Sequence, residues 1–171
     1  MESLAKTILK PPRLRSEAVI HGLMQEENAI KKFSELKGVQ VKPCGLFIDE
    51  TYSYLAASPD GRVGNDALVE VKCPYTQRDS PIKDSHLFPF LEKKNGELKL
   101  KCNHDFYYQI QGQLHICRKK VCYFIVYTFV DIHVEKIHAD EEFFANQMLP
   151  QLSKFWETHY LPCIVRDLVR E

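Results

Sequence analysis

No surplus charge of either sign exists in this chain of 171 residues, because 23 Lys and Arg balance 23 Asp and Glu. No global field therefore steers it to a polyanion, and any nucleic-acid contact has to come from local basic patches. No apolar run approaches the length of a membrane span, so no membrane partner is expected. Met1 to Arg15 lacks an apolar block of signal-peptide length, and Glu2 with Pro11-Pro12 argues against a mitochondrial presequence. With no secretory signal, the six cysteines are expected as reduced thiols, and the chain as intracellular, in nucleus or cytoplasm. Repeats and low-complexity linkers are also missing. Hydrophobic residues at 44% and charged residues at 27% are ordinary for a globular domain with a real core.

What is present reads as alternating helices and strands. Ser16 is a suitable N-cap for a helix over Glu17 to Lys37, closed by Gly38, with Leu23, Ala29, Ile30 and Phe33 facing inward. Strand-like segments follow at Leu46 to Asp49, Tyr52 to Ala57 and Ala67 to Cys73. In the last of these, Val69 and Val71 share one face, and Glu70 and Lys72 the other. Asn95-Gly96 predicts a hairpin between Phe90 to Lys94 and Glu97 to Lys101. His104 to Cys117 reads as a helix with an apolar stripe of Tyr107, Ile110, Leu114 and Cys117. Gln109 and Gln113 are expected on its opposite face. Val121 to Val130 suits a buried central strand, and Ile132 to His138 a more exposed partner. Asp140 to His159 is expected to be helical and kinked at Pro150, with Phe144, Met148, Leu152, Phe155 and Trp156 inward. The order implies an α/β layered domain. The expected division is a flexible extension over 1–15 and a single domain over 16–171.

The chemistry concentrates in Ser58-Pro59-Asp60-Gly61, followed by Glu70-Val71-Lys72-Cys73-Pro74. Asp60 on a turn and Glu70 on the next strand can reach one divalent cation such as Mg²⁺ or Mn²⁺. Lys72 projects from the same face as Glu70, where an ammonium can orient water or stabilise charge on phosphorus. The Val71 carbonyl is a further candidate ligand. Glu26, on the first long helix, is placed to reach over the sheet to the metal. Gln109, with Gln113 one turn on, can hydrogen-bond a phosphate, a base edge or a metal-bound water. Alone, an Asp…Glu-x-Lys spacing is weak: about 0.4 occurrences per chain of this length arise by chance across roughly a dozen loop lengths.

Taken together in this order, Gly22-x-x-x-Glu26-x-x-Ala29, Ala57-Ser58-Pro59-Asp60-Gly61, Glu70-Val71-Lys72-Cys73-Pro74 and Tyr108-Gln109-Ile110-Gln111 are far more specific. The set resembles the YqaJ-like viral recombinase group, which includes phage lambda-type exonuclease, within the PD-(D/E)xK nuclease superfamily. The resemblance implies a restriction-endonuclease-like core, a central mixed β-sheet flanked by helices. It implies that Asp60 and Glu70 are metal ligands, Lys72 the catalytic lysine, Glu26 the helix-borne carboxylate and Gln109 the glutamine of the site. The implied activity is Mg²⁺-dependent degradation of linear duplex DNA from an end, in recombination or repair. A single-strand annealing protein and a homo-oligomer are the partners it suggests. Exonucleases of this type grip a 5′ end with an aromatic-and-arginine segment. Arg13 and Arg15 are the only arginines before Gly22 that could take its place.

Other readings of the same residues stand beside this one. A nuclease fold that binds DNA without cutting it would keep the motifs but not the metal dependence. Lys93-Lys94, Lys99, Lys101 and Arg118-Lys119-Lys120 could form a basic rim for a phosphate backbone or serve only solubility. Cys102, His104, His115, Cys117 and Cys122 cluster within twenty-one residues, as a zinc site might. No Cys-x-x-Cys is present, however, and His115 and Cys117 point about 200° apart on a helix.

Overall fold

The protein is described by a computed structural model covering residues 1–11, 16–83 and 85–169, so Arg13 and Arg15 lie outside the described residues. Its contacts fall into two compact units. Ser16–Ala139 forms one; Met1–Arg15 together with Asp140–Glu171 forms the other. The chain passes from one unit to the other after residue 15 and again after residue 139.

In the smaller unit, α1 (Glu2–Leu9) buries Ala5. Arg166 pairs with Glu2 at 3.0 Å and Lys10 with Asp167 at 2.7 Å. Both pairs are largely exposed, so each contributes little to stability. The C-terminal segment stays helical to Leu168 rather than ending at His159. It does so through two π-helical turns, Phe144–Met148 and Trp156–Tyr160. Each is followed by an α-helical segment with proline in its first turn, Pro150 and Pro162. The wider turn accommodates a residue that has no N–H to donate. Of the five residues expected inward, Phe144 and Met148 are buried; Leu152, Phe155 and Trp156 are only half-buried.

The larger unit begins with α2 (Glu17–Lys37). The Ser16 hydroxyl accepts from the Val19 N–H, and Gly38 ends the helix at φ 63°. Short strands follow: β1 (Val41–Lys42), β2 (Phe47–Ile48), β3 (Ala56–Ala57), β4 (Gly61–Val63) and β5 (Ala67–Lys72). Then come a hairpin of β6 (Leu91–Lys94) and β7 (Glu97–Leu100), α3 (Asp105–Ile116), β8 (Val121–Tyr127) and β9 (Ile132–His138). The main sheet has the order β1-β4-β5-β8-β9. Only β5 and β8 run parallel, with Glu70 opposite Phe124. The expected mixed central sheet is thus observed. Leu68, Cys122, Phe124 and Val126 pack with Ile110 and Leu114 of α3. Val69, Val71 and Ile125 pack with Ala29 and Phe33 of α2. β5 therefore lies at the centre of a helix–sheet–helix sandwich.

Three expectations differ from what forms. Leu23 is 71% exposed, because α2 buries only Ala29 and Phe33 in its C-terminal half and its first half runs past the short strands. Tyr52 to Ala57 forms a strand only at its end. The Asp49 carboxylate accepts from the Thr51 and Tyr52 N–H groups at 2.9 and 2.7 Å, and this side-chain turn displaces the extended conformation. The strand from Val121 stops at Tyr127, where Thr128 turns the chain by accepting from Asp131 N at 3.0 Å. Among the described residues, no helix is long and apolar enough to cross a membrane.

Candidate functional site

β4 pairs with β5 only as far as Val69, so the Val71 N–H has no ladder partner on that side. Asp60 occupies the gap: its Oδ2 accepts from Val71 N at 2.7 Å. Gly61, the next residue, lets β1 pack closely against β4. A Cβ there would lie 2.5 Å from Val41 Cγ1 and 3.3 Å from the Lys42 carbonyl. The turn and strand predicted to share one site are thereby fastened together. The contact is made by the Val71 N–H.

Glu70 is the hub. It points from β5 toward α3 and is only 2% exposed. Its Oε1 accepts from Lys72 Nζ at 2.5 Å and from Gln109 Nε2 at 2.7 Å. Its Oε2 accepts from Gln113 Nε2 at 2.8 Å. Lys72 also donates to Gln109 Oε1 at 3.1 Å, and its ammonium lies 4.7 Å from the centre of the Phe106 ring. A buried carboxylate has to be paired and hydrogen-bonded, and these three donors do so.

The remaining carboxylates feel Glu70 from nearby. Burial first, then Glu70 and Glu26, push Asp60 up to about 7 despite the Val71 N–H and Lys72. Glu26 is raised by its own burial and by Glu70, while Lys72 opposes the shift. Cys73, next to Lys72, is pushed up to about 12 by burial and by Glu26 and Asp60. Three acids thus face a single lysine. This imbalance favours a divalent cation, and the oxygen-only donors suit a hard one. Among the described residues, no three His, Cys, Asp or Glu side chains are drawn together into a ligand cage. The Glu70 oxygens are engaged by nitrogen donors instead.

Each predicted site residue can now be placed. Asp60, Glu70, Lys72 and Gln109 are linked by hydrogen bonds directly or through the Val71 backbone. Glu26 joins them through its charge. Gln113, expected with Gln109 on the face opposite Tyr107, Ile110 and Leu114, is 5% exposed, because the arc of α3 turned to the sheet runs from Gln113 through Ile110 to Gln111. Gln111 donates to the His138 carbonyl at 2.9 Å and serves to tie α3 to β9. The sequence reading did not single out Phe106; a ring one turn before Gln109 and Ile110 was the available signal.

The other candidates disperse. His104 caps α3, with Nδ1 accepting from Phe106 N, and Cys102 is exposed while Cys117 and Cys122 are buried. In the expected basic rim, Lys99 pairs with Glu97 at 2.9 Å and Arg118 with Glu50 at 2.8 Å. Lys101 donates to the Pro89 carbonyl at 2.5 Å.

Comparison with known proteins gives a consistent picture. The YqaJ-like viral recombinase domain model matches residues 2–120. An uncharacterized protein of Acanthamoeba polyphaga mimivirus is 27% identical over 148 residues, covering 84% of this chain and 25% of that protein. An alkaline nuclease of Orgyia pseudotsugata multicapsid polyhedrosis virus is 27% identical over 125 residues, covering 60% of this chain and 29% of that protein. The chain thus spans less than a third of the length of these relatives. The crystal structure of an alkaline exonuclease, LHK-Exo, from Laribacter hongkongensis superposes with a TM-score of 0.72 at 21% identity. That match covers 98% of this chain and 82% of the other, and it shows the shared fold.

Proposed function

Because this chain belongs to the YqaJ-like viral recombinase domain family, we propose that it is a metal-dependent DNA nuclease, an exonuclease that hydrolyses phosphodiester bonds of linear duplex DNA in recombination. The observation that carries this reading is the meeting of Asp60, Glu70, Lys72 and Gln109 at the end of one strand. Three mutually repelling carboxylates opposite one lysine form an unfavourable arrangement that a purely DNA-binding surface would not need, since they also repel phosphate.

Asp60 and Glu70 would hold Mg²⁺ or Mn²⁺, with Glu26 and the Val71 carbonyl as further oxygen donors. When bound, such a cation neutralises charge at the phosphate and lowers the pKa of a bound water. Lys72 is anchored at both Glu70 and Gln109, so its ammonium is held in one place and can donate to the attacking water or to a non-bridging phosphate oxygen. The Phe106 ring limits solvent on one side of that ammonium. Gln109 donates to Glu70 and accepts from Lys72, which fixes the relative position of acid and base.

The test is degradation of 5′-phosphorylated linear duplex DNA beside the same DNA as a covalently closed circle, in Mg²⁺, Mn²⁺ or EDTA. Loss of the linear form only, dependent on metal and absent in folded Lys72→Ala, is expected. Loss of both forms would make the activity endonucleolytic. Metal-independent cleavage, cleavage retained by Lys72→Ala, or DNA binding with no cleavage would overturn the proposal.

A further inference from the structure

Glu70 has two oxygens with different surroundings. Oε1 takes both its hydrogen bonds from side chains in reach of solvent, the half-buried Lys72 and the exposed Gln109. Oε2 takes its hydrogen bond from Gln113, which is buried. The orientation of that amide is fixed by chemistry, because a carboxylate oxygen beside it can only accept, so the nitrogen must face Glu70. The other end of the amide, Gln113 Oε1, is buried with no hydrogen-bond partner. An unpaired buried carbonyl is unfavourable, and the neighbouring positions Ile110 and Leu114 are apolar core. Packing alone would be better served at 113 by a methionine or leucine. What the glutamine adds is one N–H aimed at Glu70.

We propose that Gln113 is a positioning residue: it pins Glu70 Oε2 from within the core, so that Oε1 is the oxygen presented to metal and substrate. Lys72 and Gln109 can exchange their contacts with Oε1 for others when ligands enter, whereas the buried Gln113 has no alternative partner among the described residues. The carboxylate therefore keeps one rotamer throughout. Gln109 and Gln113 share a helix face but divide the work: the exposed one bridges Glu70 to Lys72, and the buried one holds Glu70 itself. This inference rests on the reading of Glu70 as a metal ligand.

Gln113→Met separates holding from filling, because it keeps the shape and removes the donor. It also removes the orphaned carbonyl, so its melting temperature in EDTA is expected within about 5 °C of wild type. Mn²⁺ affinity, read without DNA from the electron paramagnetic resonance signal of free Mn²⁺, is expected to fall about 10- to 100-fold. DNA affinity in EDTA should not move. Glu70→Gln is the companion variant and should abolish Mn²⁺ binding at that site. Unchanged Mn²⁺ affinity in Gln113→Met, with binding lost in Glu70→Gln, would overturn the role of Gln113 alone. Unchanged affinity in Glu70→Gln would overturn the metal reading and this inference with it. Should Gln113→Met not fold, the ¹⁵N-labelled wild type decides: the Gln113 side-chain amide resonance is expected to shift at saturating Mg²⁺ and to stay fixed in Glu70→Gln. A wild-type resonance indifferent to Mg²⁺ would refute the proposal.

Discussion

Asp60→Asn should stabilise the metal-free protein while disabling it. The Asp60 carboxyl rises from an ordinary 3.8 to about 7 on folding, chiefly through burial and then through Glu70. A carboxyl raised in this way contributes its full stability below pH 3.8 and loses it as pH rises through 7. About three pH units at roughly 1.4 kcal/mol each give a penalty of about 4 kcal/mol at pH 8, and well under 1 kcal/mol at pH 4. Asparagine retains an oxygen for the Val71 N–H and carries no charge, so it escapes the penalty. In a domain of this size the gain corresponds to a melting temperature higher by roughly 8–15 °C at pH 8 in EDTA, closing toward zero near pH 4. Mn²⁺ at a hundred times its Kd should stabilise the wild type by about 2.7 kcal/mol and raise its melting temperature accordingly, and should stabilise Asp60→Asn far less. Thermal melts across pH 4–8, with and without Mn²⁺, test this directly. Equal melting temperatures at pH 8 in EDTA, or a gap that does not change with pH, would refute the electrostatic picture of the site.

Three further outcomes follow from the geometry. Gly61→Ala places a methyl 2.5 Å from Val41 Cγ1, so it should destabilise by about 1–3 kcal/mol in urea melts and lower cleavage by shifting Asp60; a neutral change would show that β1 yields freely. Gln111→Leu removes the donor to the His138 carbonyl and should cost about 1–3 kcal/mol with Mn²⁺ affinity unchanged, the opposite pattern to Gln113→Met. Exposed Cys102 should alkylate first with iodoacetamide at pH 8, and Cys73, held up to about 12, should lag by at least an order of magnitude in peptide mass spectrometry. Rapid labelling of Cys73 would mean that it is less buried, or its carboxylate neighbours more distant, than in the structure.

The parts of this fold that were legible in the sequence are those fixed by local chemistry. Ser16 and Gly38 bound α2, and Asn95-Gly96, at φ 54° and 84°, makes the hairpin. Alternation in Ala67–Lys72 separates Val69 and Val71 from Glu70 and Lys72 correctly. What failed depends on which surface a neighbour happens to cover. Leu23 is helical as expected, yet nothing in its own neighbourhood reveals that the strands beneath are too short to reach it. Gln113 is expected opposite the apolar stripe because polarity at helical spacing normally sets a residue apart from the core, and an acid inside the sandwich reverses that rule. The turn at Asp49 replaced part of a strand because a side-chain acceptor two and three residues back outcompeted the extended pairing. The motif residues were found as a set, but their order around Glu70 was not, since spacing says which residues can meet and not which oxygen each one takes.

Placing the acids here rather than at the surface has a structural consequence. Water would screen three clustered carboxylates at a surface, whereas at the end of a central strand their repulsion persists. The fold meets that repulsion with donors that cannot drift. The Val71 N–H is part of the sheet, Gln113 is buried on the sheet-facing side of α3, and Lys72 is held by Glu70, Gln109 and the Phe106 ring. Glu26 joins the site through its charge, and it comes from a helix of the opposite layer. Glu26→Gln should accordingly weaken Mn²⁺ binding less than Glu70→Gln while leaving the melting temperature in EDTA unchanged or slightly higher. Equal losses in the two variants would show instead that all three acids act as one unit.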